Sequence, residues 1–122
     1  DDLYAFRTPS LRNVAVTGPY GHAGAHKDLG AFIAAHADPL HGLETYDRAQ
    51  AILVAPTEAD FSVIDDPDQR NAIADAATLP RVPLSNDDIA SLVAFLESLT
   101  DVTALEGRLG IPASVPSGLA VP

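Results

Sequence analysis

Residues 8–24 read TPSLRNVAVTGPYGHAG. The stretch holds two prolines, a lone arginine, a Gly-Pro-Tyr turn and a histidine set among glycines. Neither a 3.6-residue period nor a two-residue alternation runs through it. It reads as irregular backbone fixed by specific side chains. Thr8 followed by Pro9 suits the start of a short turn, because proline is tolerated at a first helical position.

Downstream of this loop the pattern becomes helical. Asp28 precedes LGAFIAAHA, in which Leu29, Phe32, Ile33 and His36 share one helix face. Asp38-Pro39 should end that helix, since a residue before proline disfavours the α region. Residues 45–53 suit another short helix. The span 54–84 carries four prolines and several acids, with a weak helical signal near DQRNAIADAA. It reads as a long surface excursion, a feature that is often functional or an insertion. Ser85 opens SNDDIASLVAFLESLT, the strongest element. Ser85 and Asp88 resemble a capping box with Asp in place of Glu. Ile89, Leu92, Val93, Leu96 and Leu99 form its apolar stripe. The end, GIPASVPSGLAVP, reads as an extended tail.

These features give an all-α class with much loop. The expected division is a domain over 1–104, with 54–84 as its excursion, and a tail over 105–122. For 122 residues, two short apolar helices and one amphipathic helix make little core. Something else should complete it: further chain, a cofactor, or both.

The formal net charge is −10, which argues against nucleic-acid binding, because phosphate contacts need clustered cations. The same acidity suits a basic partner or simple solubility. No apolar run approaches the roughly 18 residues of a membrane span, and no signal-peptide pattern opens the chain. With no cysteine, no CxxCH haem attachment and no disulfide lie within these residues.

Of the four histidines, His36 is the most informative. An imidazole on the apolar face of a helix needs a partner, either a backbone carbonyl or a metal or haem iron. His22 sits in the glycine-flanked loop, where bonding to nearby backbone suffices to explain it. His26 and His41 look solvent-facing. A zinc site is poorly supported, since HExxH is absent and no carboxylate–histidine cluster has ligand spacing. No GxSxG and no glycine-rich phosphate loop occur. Arg12, in SLRNV, either covers core with its stem and leaves its head in solvent, or clamps a carboxylate such as a haem propionate. The carbonyls of Thr17 and Pro19 flank a turn and suit calcium, though an ordinary turn explains them equally.

YAFRTPSLRNVAVTGPYGHAG, residues 4–24, resembles a stretch of the bacterial di-haem cytochrome c peroxidases that runs F-[KR]-x-P-[ST]-L-R-N-[VI]-x-L-T-x-P-Y-x-H-D-G. DDIASLVAFLESLTD resembles the last helix of the same family, in the right order. The likeness covers residues 4–37 and 82–101, under half the chain. It implies the later part of a class-I cytochrome c-like domain, with short helices and long loops around haem. It also implies haem c attached through a CxxCH upstream of these residues, and a periplasmic location. The implied function is electron relay during reduction of hydrogen peroxide, with a small electron-donor protein as partner. The upstream portion of the same protein would carry the peroxide-binding haem, so these residues alone would be inactive. A homodimer is compatible with the resemblance. Two alternatives remain: a di-haem enzyme that oxidises side chains of a protein substrate, and a non-enzymatic electron-transfer cytochrome c.

Carried over residue by residue, the family's distal ligand on the C-terminal haem lies fourteen residues after the motif histidine. From His22 that count reaches His36. The peroxidases usually have Met there, and the related methylamine-utilisation haem enzymes have Tyr; this chain has no Met at all. The family's interdomain calcium uses backbone carbonyls at the positions of Thr17 and Pro19. Arg12 and His22 match motif positions near the haem. Ala23 replaces a common Asp, and the 54–84 excursion is larger than in short peroxidases.

Overall fold

The structure, a computed structural model, describes residues 6–52, 60–106 and 115–118. The described residues form six α-helices and two 3-10 turns, with no strand; the one extended pairing is an isolated bridge between Tyr20 and His26. The all-α expectation holds for them. Parts of the expected tail (107–114 and 119–122) and of the excursion (54–59), and residue 53 of the helix expected over 45–53, lie outside the described residues.

The first helix, α1 (Leu29–Ala37), starts where the sequence indicates. The Asp28 carboxylate accepts a hydrogen bond from the Ala31 amide at 2.7 Å, satisfying one of the free donors of the first turn. It ends before Pro39, with Asp38 outside the helical region at φ −137°. Pro39 then opens α2 (Pro39–Glu44), capped by the Asp38 side chain. The two helices cross closely because Gly42 has no side chain: a Cβ there would stand 3.0 Å from the Cα of Ala35.

The short helix expected over 45–53 is confined to a 3-10 turn, Arg48–Gln50. The excursion carries α3 (Ser62–Asp65) and α4 (Pro67–Ala76). Asp66 caps α4 by accepting from the amides of Asp68 at 2.9 Å and Gln69 at 3.4 Å, with Pro67 at the first helical position. The chain returns to α1 through a hydrogen bond from the Val82 amide to the Ala37 carbonyl, 2.8 Å, and an Arg81–Asp38 ion pair, 2.7 Å.

The strongest sequence element is α5 (Asn86–Ser98). Ser85 and Asp88 form the reciprocal capping box: the Asp88 amide donates to Ser85 Oγ at 3.2 Å, and the Ser85 amide donates to the Asp88 carboxylate at 2.9 Å. These bonds hold the Asp88 carboxyl below the usual carboxylate range, the Ser85 hydroxyl contributing most. The expected stripe is only partly covered. Ile89, Val93, Leu96 and Leu99 are half-buried, while Leu92 of the stripe is 38% exposed; Phe95, outside the expected stripe, is 53% exposed. α5 packs on α1 at Gly30, where a Cβ would meet Ile89 at 3.5 Å. A last short helix, α6 (Val102–Glu106), runs across residues 104 and 105.

Leu29 is the one buried hydrophobic residue among those described, and it retains 9% exposure. The helices therefore form a shell more than a core, as the sparse apolar pattern indicates.

Candidate cofactor site

The loop of residues 8–24 is pinned to the end of α5. Asn13 adopts the left-handed conformation (φ 61°), which asparagine tolerates better than most residues. Its amide donates to the Leu99 carbonyl at 3.2 Å, and its side-chain oxygen accepts from the Asp101 amide at 2.6 Å. Arg12 pairs with the Asp101 carboxylate. The Asp101 carboxyl is held below its ordinary range, first by the Ala104 amide and then by Arg12. Arg12 thus grips a carboxylate, and that carboxylate belongs to this chain.

The second half of the loop turns at Gly21 and Gly24, both at positive φ (85° and 65°). The Tyr20–His26 bridge closes the turn through bonds of 2.7 and 3.1 Å, and the Tyr20 hydroxyl donates to the Ala15 carbonyl at 2.8 Å. His22 lies on the outside, its ring centroid 4.2 Å from that of Phe6. Thr17 and Pro19 are exposed, and neither carbonyl accepts a hydrogen bond from another described residue. No group of three or more His, Cys, Asp or Glu able to hold a metal occurs among the described residues.

The bridge sets His26 facing inward, which corrects its expected solvent-facing placement. Its ring is half-buried, 5.5 Å from both Phe32 and Tyr46 between centroids. Its Nδ1 is buried without a hydrogen-bond partner among the described residues, and burial lowers the imidazole pKa from its ordinary value. The Tyr46 hydroxyl donates to the Ala25 carbonyl at 2.6 Å; burial, and secondarily Asp47, pushes that phenol up. His41 is exposed, as expected.

These elements enclose an open hollow of about 330 Å³. Phe32 and His36 of α1, Leu40 and Leu43 of α2, and Ile64 and Ile73 of the excursion line it, with His26 and Tyr46 at one side. The lining is predominantly apolar, with two imidazoles in it. The His36 ring packs on Phe32, 5.8 Å between centroids, and makes no hydrogen bond within the described residues. His36 is exposed, so its ring is not in a core and needs no backbone carbonyl to satisfy it. Arg12, His22, Thr17 and Pro19 are not among the lining residues. The hollow unites His36 with His26 and Tyr46, which no sequence pattern marked as site-forming, and with helices of the excursion, read from sequence as a feature often functional or an insertion. The one available signal was positional: His26 follows the turn that the glycines and Tyr20 create.

The chain is similar to the methylamine utilization protein MauG of Paracoccus denitrificans (strain Pd 1222). The two are 36% identical over 96 residues, which is 79% of this chain and 23% of MauG. The chain thus spans about a quarter of the length of that curated relative. No family model matches the chain, and no solved structure does. No helix of the described residues is long and apolar enough to cross a membrane.

Proposed function

We propose that this chain is the later part of a cytochrome c-like haem domain, and that His36 is an axial ligand to its iron. One observation carries the reading. The residue reached by counting from the loop motif stands on the wall of an apolar hollow, with no competing hydrogen bond among the described residues. The residues fit such a group. A flat apolar cofactor needs an apolar wall, and a neutral imidazole is one of the side chains that ligate haem iron. The unpartnered Nδ1 of His26 marks a polar atom that a bound group or water would satisfy.

Haem c, held through a CxxCH upstream, supplies one-electron transfer when bound. The chain's own part is positioning. Asp28 starts the helix that carries His36, Gly42 lets α2 close against it, and Phe32 orients the imidazole by contact. The whole protein is then a di-haem oxidoreductase of the peroxidase kind, periplasmic, passing electrons from a small donor protein toward hydrogen peroxide. Arg12 and His22 stand outside the hollow, and a role for them at the cofactor is part of the same proposal. So is a calcium ion on the exposed carbonyls of Thr17 and Pro19, with further ligands from the upstream domain. Metal analysis of the intact protein should find calcium, and its absence removes that part.

The similarity to MauG favours a second reading, in which the protein oxidises side chains of a protein substrate. A His in place of a Met ligand agrees with it, because thioether ligation raises haem potential and imidazole does not. A steady-state assay of the intact protein with hydrogen peroxide and a reduced small cytochrome separates the two. Sustained turnover supports the relay peroxidase; its failure, in a protein that contains haem c, supports protein oxidation. An intact protein without haem c contradicts both.

A further inference from the structure

We infer that the rim of the His36 hollow is the docking surface for a small electron-carrier protein with a cationic face, which passes its electron in beside the exposed imidazole. The inference rests on the proposed role of His36 and deepens it by naming the partner's chemistry.

The charge of the chain is unevenly placed. Residues 1–37 hold three acidic and three basic residues. Residues 38–52 and 60–77, which supply the lining of the hollow from α2 onward, hold eight acidic residues and two arginines. They carry a net −6 of the chain's −10. Within them the placement is closer still. Leu43, Tyr46, Ile64 and Ala74 line the hollow, and the residue after each is an exposed carboxylate: Glu44, Asp47, Asp65 and Asp75. Arg48 answers Asp65, while the other three enter no ion pair among the described residues. An apolar opening ringed by one sign of charge suits a partner whose contact patch is ringed by the other.

The opening also has the apolar centre that docking needs. Leu40 lines the hollow and is 50% exposed. Val63, beside Ile64 of the lining, and Leu79, two residues past Ala77 of the lining, are exposed as well. His36 stands exposed at the edge of the same hollow, four residues before Leu40. A partner seated over that edge reaches an iron ligated by His36 without entering the hollow. The docked carrier gives up one electron to the ferric haem and is itself oxidised by one, with no bond made or broken. Opposed charges speed the encounter, and a small contact patch of the kind found in redox pairs lets the spent carrier leave.

The test uses the intact haem protein and two reduced probes of similar potential, a lysine-rich small cytochrome c and an acidic one. Stopped flow follows reduction of the C-terminal haem. At low salt the lysine-rich probe should react about tenfold faster than the acidic one, and rising salt should remove that lead. Glu44→Lys with Asp75→Lys should slow the lysine-rich probe by roughly tenfold and take away most of its salt dependence. Glu97→Lys with Glu106→Lys makes the same change of net charge on α5 and α6, outside the lining of the hollow, and should leave the rate within about twofold of the parent. A second readout is independent of turnover. Carbodiimide coupling of the probe's lysines to carboxylates of the parent protein, mapped by mass spectrometry, should mark Glu44, Asp47 and Asp75. Equal slowing by both pairs of substitutions, an acidic probe as fast as the lysine-rich one, or coupling confined to carboxylates away from the rim overturns the docking surface while leaving His36 as ligand. Coupling at the rim without electron transfer makes the seated partner something other than a donor, such as the protein substrate of the second reading, and overturns the inference too. A low-spin C-terminal haem that survives His36→Ala overturns the ligand proposal, and the docking inference with it.

Discussion

His26 shows how a short loop decides the surroundings of one side chain. Its sequence neighbours are small and polar, so nothing in its pattern indicates burial. The Tyr20–His26 bridge, made possible by glycines at positive φ, turns it inward against Phe32 and Tyr46. Burial disfavours the charged imidazole, so its folded pKa lies below the unfolded value near 6.5. The sign follows from linkage. Above pH 6.5 the ring is neutral in both states and imposes no penalty. As pH falls from 6.5 toward the lowered folded value, the unfolded chain takes the proton first, and stability declines. Urea melts of the intact protein at pH 7.5 and 5.5 should show that decline, and His26→Leu should reduce it. An undiminished decline in His26→Leu would place the titrating group elsewhere. His36 differs: the helix-face pattern implies burial, yet the residue is exposed at the edge of the hollow. Arg12 was legible as a carboxylate binder, but no local pattern names a partner 89 residues away, and the structure supplies Asp101.

At the scale of the element, local chemistry accounts for what was readable. Asp28, Asp38 and Ser85 are side-chain caps, and each starts a helix where it stands. Proline after Asp38 both stops α1 and starts α2, and the sequence reading captured only the stop. The α3 and α4 helices were least legible, because their apolar residues are few and their burial depends on a hollow built by α1 and α2. The α5 stripe was legible as a stripe, yet Leu92 and Phe95 remain uncovered by the described residues. Of these devices the Ser85–Asp88 box is the most direct to test. Ser85→Ala removes both the acceptor for the Asp88 amide and the hydroxyl that lowers the Asp88 carboxyl pKa. Denaturant unfolding of the intact protein at neutral pH should show a loss of about 1 kcal/mol. The difference should shrink as pH falls below the ordinary carboxylate pKa through the lowered folded value, where protonation of Asp88 weakens the box in the parent protein as well. A Ser85→Ala protein as stable as the parent at pH 7 would mean that the box adds nothing beyond what solvent supplies.

For the whole molecule, the balance between faces and core is decisive. Leu29 alone is buried among the described residues, while Leu11, Val16, Leu40, Leu92, Phe95 and Val102 are among the large side chains left exposed. Burying a side chain of that size contributes on the order of 1.5–3 kcal/mol, and a domain's net stability is only about 5–15 kcal/mol. The 122 residues on their own should therefore be aggregated or molten, with no cooperative thermal transition by calorimetry. A sharp, concentration-independent melt of the isolated chain would contradict the claim that cofactor and further chain complete the core. The same claim makes His36 the point where chain meets cofactor, and a spectrum can test it. In the intact protein His36→Ala should convert the C-terminal haem from low spin to high spin in optical and EPR spectra, and His36→Met should restore the low-spin form at higher potential. An unchanged low-spin signature in His36→Ala would show that His36 is not the ligand.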